Sequence, residues 1–188
     1  MNEQSKYFKD TRKATHPAAR QILKIVQQGH YQAPSGTDVS IREWQSAAKH
    51  GAKLYTPQHL RDLREQSPRA TIHETVVEVI EATTQEAAHQ LAADGDVVVL
   101  NFASARNPGG GFLGGARAQE EELCRCSGLY DTLLTQPTYY QLHRSQRTLL
   151  YSDHLIYSPH VPWFRTSAQA PLLEEPFLAS VITAPAPN

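Results

Sequence analysis

The chain lacks most of the features that assign a protein to a class at sight. It has no charge excess: 18 Lys and Arg against 19 Asp and Glu leave a formal net charge of -1. Binding nucleic acid through general electrostatics needs a strong basic surplus, so direct nucleic-acid binding is not expected. Only two cysteines occur, Cys124 and Cys126, separated by a single residue. That spacing suits neither a structural disulfide nor a four-ligand zinc site, and the expected compartment is reducing and cytoplasmic. No run of about 18 apolar residues exists, so no membrane-spanning segment is expected. The opening MNEQSKYFKDTRKATH has no apolar stretch of the kind a signal peptide needs.

Several catalytic signatures are missing as well. Nine histidines are present, but none stands in H-E-x-x-H, and His73-Glu74 lacks its second histidine. They read as scattered surface or core residues, with no metal site. There is no G-x-S-x-G elbow. Gly114-Gly115-Ala116 stands where a P-loop needs Gly-Lys-Ser/Thr. Gly109, Gly111 and Gly114 formally satisfy G-x-G-x-x-G, but six residues separate Phe102 from Gly109, too many for the tight strand-to-helix turn of a dinucleotide site. Cys124 and Cys126 lie about 200° apart around a helix. Cys126 then falls on an apolar stripe as a small core residue, and Cys124 is expected to be semi-exposed.

What is present is a chain of 188 residues with 40% hydrophobic content, enough for one folded domain. Pro17 opens a helix that Gly29 ends, with Ile22, Leu23 and Val26 on one face and Thr15 as a candidate cap. Tyr31 to Gly36 reads as a loop, Val39 and Ile41 as a short strand, and Ser40–Lys49 and Pro57–Gln66 as helices, with Leu60 and Leu63 inward on the second. TIHETVVEVIEA is β-rich, with Ile72, Val77 and Val79 as core positions. Thr84 caps a helix to Ala93 whose Ala87, Ala88 and Leu91 face inward. Asp96–Phe102 is almost wholly apolar, as in a central strand covered on both faces. Leu123, Cys126, Leu129 or Tyr130, and Leu133 recur at helical spacing. Tyr139–Arg147 reads as a short helix, Leu149–Tyr151 and His154–Tyr157 as short strands, Ser158–Arg165 as a loop and FLASVIT as a buried strand. Helices followed by alternating strands and helices argue for one α/β domain.

Chemistry concentrates in NFASARNPGGGFLGGARAQEEELCRCSGLY, residues 101–130. Glycines let backbone N–H groups approach a ligand closely, and consecutive turn amides can form an anion-binding nest. The loop leaves the carboxyl end of a strand, where open α/β sheets bind ligands. Glu120, Glu121 and Glu122 fall in the first turn of the next helix, where the dipole favours acids; Glu122 is assigned that electrostatic role. Neighbouring helical residues diverge by about 100°, so Glu120 and Glu121 are not expected to serve the same atom. One would hold a sugar hydroxyl while the other handles a proton. Gln119 can donate and accept without charge.

Gly109-Gly110-Gly111 followed after seven residues by Gln119-Glu120-Glu121 strongly resembles the signature of the bacterial-type poly(ADP-ribose) glycohydrolases. RKATHPAARQILKIVQQGHY, TTQEAAHQLA, SPHVPWFR and LLEEPFLASVITAPAPN are similar to the same family, so the resemblance covers most of the chain. It implies a macrodomain-like, three-layer α/β/α fold, with residues 1–70 as an N-terminal helical extension and 71–188 as the macrodomain-like catalytic region of one structural unit. It implies hydrolysis of the ribose–ribose O-glycosidic bond of poly(ADP-ribose) without metal or cofactor. Glu121 would be the acid/base and Glu120 would bind the ribose beside the scissile bond. Asn107, Gly109, Gly110, Gly111 and Gln119 would contact substrate. The implied partners are poly(ADP-ribose), ADP-ribose and ADP-ribosylated proteins, in the DNA damage response.

The chain departs from the family in one respect. Members continue past the APAPN segment with further strands and a second glycine-rich loop that grips the diphosphate, whereas the last glycine here is Gly128. An incomplete sheet is therefore expected, with an unpaired edge and exposed apolar faces, in a fragment, a truncated gene product or half of an assembly. Two other readings stand beside hydrolysis. One is a non-catalytic ADP-ribose-binding module or inactive remnant. The other, more distant, is a nucleotide-dependent oxidoreductase using Gly109, Gly111 and Gly114.

Overall fold

The centre of the molecule is an antiparallel pair, Leu155–Trp163 and Phe177–Pro185, the fifth and sixth strands of the chain (β5 and β6). A computed structural model describes residues 16–67, 74–146 and 150–186. In it β3 (Lys53–Tyr55) adds antiparallel to β5, and β4 (Val98–Ala103) adds parallel to β6, giving the order β3-β5-β6-β4. A separate two-stranded ribbon joins β1 (His30–Gln32) to β2 (Asp38–Ser40). Seven α-helices, α1 (Pro17–Gln28), α2 (Arg42–Gly51), α3 (Pro57–Gln66), α4 (Thr84–Leu91), α5 (Gln119–Cys126), α6 (Leu129–Leu133) and α7 (Pro137–Ser145), and a short 3-10 helix at Phe112–Gly114 complete the described residues. The architecture is mixed α/β, as expected.

Local chemistry sets the helix ends. Pro17 occupies the first position of α1, where its missing N–H costs nothing. Gly29 closes that helix in the left-handed region at φ 73°, donating its N–H to Ile25 O. α4 starts on a reciprocal capping box: Thr83 N donates to Glu86 Oε2 at 2.8 Å, and Glu86 N donates to Thr83 Oγ1. The cap is thus Thr83, one residue before the expected Thr84. The stripe Leu123, Cys126, Leu129, Leu133 is wholly buried, although Ser127 and Gly128 break it into α5 and α6.

Along the sheet, alternate residues meet the helical layer. Val99, Asn101 and Ala103 of β4 are buried, as are Ile156 of β5 and Val181 of β6. The intervening β4 residues Val98, Leu100 and Phe102 are exposed. β4 is therefore the edge strand, with one face covered, and not the doubly covered central strand its apolar run suggests. An apolar run reports affinity for burial, not that a partner covers the second face. Among the described residues no strand pairs with the outer edge of β4, and its outer face is apolar and exposed.

Other expectations need correction. Val77 and Val79 are 85% and 97% exposed, and residues 74–82 form no strand. Leu63 and Leu91 are also exposed, because α3 and α4 pack on the sheet's margins and bury little. The loop read from Tyr31 starts as β1. The loop read over Ser158–Arg165 is mostly strand: β5 runs through Pro159 and Pro162 by shifting register between Ser158 and Val161, with His160 at φ 42°. Residues 1–15, including Thr15, and Ile72, Arg147 and Leu149 lie outside the described residues.

Candidate active site

The site forms where β4 ends. Beyond Ala103 the Ser104 hydroxyl accepts hydrogen bonds from Arg106 N and Asn107 N, turning the chain sharply. Two overlapping turns follow, in which Gly110 N donates to Asn107 O and Phe112 N to Gly109 O. They require positive φ at two successive residues, 66° at Gly109 and 55° at Gly110, which a side chain would oppose by about 1–2 kcal/mol each. Phe112 anchors the loop in the core, its ring centroid 5.1 Å from that of Tyr130. The chain returns through Ala116 and enters α5 at Gln119.

The two carboxylates have different anchors. Glu120 Oε2 accepts from Ser104 N at 2.7 Å, and its Oε1 faces Asn101 Nδ2 at 3.4 Å. Glu121 Oε1 accepts from Gly111 N at 2.7 Å, and its Oε2 is buried with no hydrogen-bond partner among the described residues. Both residues are buried, at 3% and 7% exposure. Burial pushes the Glu120 carboxyl up to about 7; the hydrogen bonds from Ser104 and Asn101 oppose this, and the neighbouring Glu121 charge adds to it. The helix does separate the two side chains, as their spacing demands, yet both reach the space over Gly110. A Cβ on Gly110 would collide with Glu121 Oε1 and sit 3.1 Å from Glu120 Oε2.

The loop amides are largely committed within the protein. Gly111 N–H serves Glu121, Gly110 N–H serves Asn107 O, and Gly109 N–H lies against Glu120. The glycine loop therefore works as a holder for carboxylates and not as an open anion nest. Gln119 is similarly engaged: its Oε1 accepts from Phe102 N at 2.8 Å and its Nε2 donates to Leu100 O at 2.7 Å. Its amide thus satisfies the free edge of β4 as a neighbouring strand would. Asn107 stands exposed at the rim. Glu122 turns away from the site and bonds Ala168 N and Arg125.

Asn101 and Ser104 belong to the site but were not singled out by sequence. A polar residue at an inward position of an otherwise apolar strand is the signal that would have found Asn101. Ser104 acts through its backbone N–H, which no residue type advertises. Cys124 is fully buried, not semi-exposed, and burial first, then the charges of Glu120 and Glu121, raise its thiol pKa. Both effects disfavour the thiolate that a nucleophile needs. Among the described residues no three His, Cys, Asp or Glu side chains are grouped to hold a metal ion, and no helix is long and apolar enough to cross a membrane.

The loop's packing gives a direct check. A methyl group on Gly109 would lie 2.8 Å from a ring carbon of Tyr130 and 3.3 Å from Cys124 Sγ. Gly109→Ala is expected to cost about 2–4 kcal/mol, combining the left-handed backbone with overpacking. Urea unfolding measures this. An unchanged midpoint would show that the loop relaxes freely.

A macrodomain-like α/β fold with paired, buried carboxylates at the carboxyl end of a strand defines the class of protein to which this chain belongs. Residues 19–166 match the family model described as microbial-type PARG, catalytic domain, and the chain belongs to that family. It is similar to poly(ADP-ribose) glycohydrolase from Thermomonospora curvata bound to the inhibitor ADP-HPD, with 48% identity, a TM-score of 0.83 and coverage of 90% of this chain and 62% of that one. It is also similar to the Deinococcus radiodurans poly(ADP-ribose) glycohydrolase in complex with ADP-ribose, with 44% identity, a TM-score of 0.67 and coverage of 77% and 58%. The chain thus spans about three fifths of the length of these solved relatives. The comparison with curated proteins gave no match.

Proposed function

We propose that this chain carries the acid/base half of a poly(ADP-ribose) glycohydrolase, with Glu121 moving the proton. One observation carries the reading. Glu121 has one oxygen fixed by Gly111 N–H and the other buried and unpartnered beside the glycine loop. A buried polar atom without a partner is costly, and proton exchange with a departing ribose oxygen gives it a use. Glycosidic cleavage passes through an oxocarbenium-like transition state. Glu121 donates its proton to the leaving oxygen and then, as carboxylate, activates water. Glu120 holds the adjacent ribose, Asn107 and Gly109–Gly111 line the substrate, and Gln119 supports the wall by fixing the edge of β4. Ligands in the relatives' structures, ADP-HPD and ADP-ribose, support the substrate class.

In this reading residues 71–188 carry the catalytic groups, and the segment expected as an N-terminal helical extension over 1–70 instead adds β3 to the same sheet beside β5. Two free, buried cysteines favour a reducing cytoplasm, and the substrate favours a role in the DNA damage response. A second reading is an ADP-ribose-binding module without turnover. Calorimetric titration with ADP-ribose, run beside ADP-ribose release from the polymer, separates them. Binding with release is the expected result, binding without release selects the module, and neither overturns both.

A further inference from the structure

We propose that Glu122 and Arg125 are positioning residues that fix the Glu121 carboxylate through Ala116 and Gly111. The inference rests on the reading of Glu121 as the acid/base. Glu122 follows Glu121 directly, and the helix turns it about 100° away from the site. There Oε1 accepts from Ala168 N at 2.9 Å and Oε2 accepts from Arg125 Nη1 at 3.2 Å. Arg125 is buried at 4% exposure, which is unusual for a guanidinium unless its charge and donors are matched. Nη1 is matched by Glu122, and Nη2 donates to the carbonyl of Ala116.

Ala116 is the far end of a strap across the glycine loop. Its N–H donates to Gly111 O at 3.2 Å, and its methyl group fills the space beside Gly111, where an added Cβ would lie only 2.6 Å away. Gly111 N–H in turn donates to Glu121 Oε1. The path Glu122, Arg125, Ala116, Gly111, Glu121 is continuous, and its ion pair is largely buried on the Arg125 side and partly exposed on the Glu122 side. Glycines at 109–111 leave this loop with little stiffness of its own. A pin at Ala116 replaces it. The rigid fork of an arginine can bond Glu122 and the Ala116 carbonyl together; the single ammonium of a lysine is not pre-organised for both.

The Gly111 amide reads this out without any turnover. Residue-resolved hydrogen exchange on Arg125→Lys is expected to run at least about tenfold faster at Gly111 than in the parent. The Ser104 amide, which serves Glu120 instead, should stay within about twofold; the tenfold and twofold limits correspond to about 1.4 and 0.4 kcal/mol of opening free energy. Faster exchange at both amides would mean general loosening, and no change at either would mean no strap; both results overturn the proposal. Should Arg125→Lys fail to fold, Glu122→Gln, which keeps the acceptor for Ala168 and drops the charge, must move Gly111 alone in the same direction. Where the parent releases ADP-ribose, kcat falls and KM holds in both variants. A parent that releases none refutes the proposed function and leaves the exchange result to decide this one.

Discussion

Glu121→Gln is expected to cut ADP-ribose release from poly(ADP-ribose) by about 10²–10⁴-fold, the usual contribution of a positioned acid/base, while ADP-ribose binding stays within a few-fold. The amide keeps an oxygen where Gly111 N–H donates at 2.7 Å, so the loop retains its anchor. The group replaced is Oε2, which is buried and has no hydrogen-bond partner among the described residues. Melting should therefore shift by no more than about 4 °C, since about 1 kcal/mol corresponds to 2–4 °C in a domain of this size. Initial-rate assays with matched binding titrations decide it. Near-parental turnover removes Glu121 from the chemistry. If Glu120→Gln abolishes release and Glu121→Gln does not, the roles reverse, and the acid is the carboxyl that burial already holds near 7. That second outcome has its own physical logic, because a group poised near neutral pH both holds and yields a proton readily.

The parts of this site differ in how far a sequence can disclose them. Three consecutive acids before a helical apolar stripe located the start of α5 at Gln119, because dipole and periodicity act within one turn. Glu120 and Glu121 fall in that same first turn, while their roles come only as what the resemblance implies. Asn101 was hidden inside VVVLNF, since its partner Glu120 lies 19 residues away and only the fold brings them together. Gln119 looked like a ligand contact, yet its amide is spent on Leu100 and Phe102; nothing local says that β4 is an edge. The same gap explains Val77 and Val79. Their β-branched chemistry favours burial, but burial needs a partner surface, and that is a tertiary fact. The first residues of β5 were legible within His154–Tyr157; its second half hid behind Pro159 and Pro162, whose cost the sheet absorbs by a register shift.

The open face of β4 and the closed environment of the carboxylates are two sides of one strand. Val98, Leu100 and Phe102 point outward while Val99, Asn101 and Ala103 point into the helical layer. The parallel register on β6 places Asn101 opposite Thr183, and the Asn101 Nδ2 donates to Thr183 Oγ1 at 3.2 Å. The covered face thus carries a polar thread from β6 through Asn101 to Glu120. A strand with one face committed to the site and the other apolar and uncovered can keep its inner geometry while its outer surface stays available for packing.

That inner thread makes stability depend on pH in a way Glu120→Gln should expose. The folded protein holds the Glu120 carboxyl near 7 against an ordinary 4.5, chiefly because burial penalises the charged form. A carboxyl raised on folding contributes stability fully below the unfolded value, and that contribution is lost as pH rises through the folded value. The parent should therefore weaken between about pH 4.5 and 7 by about 3 kcal/mol from this group alone. Gln cannot ionise. Its oxygen still accepts from Ser104 N, and Asn101, whose Oδ1 is buried without a partner, can turn that oxygen toward the new amide. The variant should match the parent near pH 4.5 and exceed it by about 3 kcal/mol at pH 8, roughly 6–12 °C in melting temperature. Urea unfolding of both proteins across this range gives the difference directly, free of every other titrating group they share. A difference that stays flat from pH 4.5 to 8 would mean that Glu120 is ionised throughout, and that its bonds to Ser104 and Asn101 outweigh its burial.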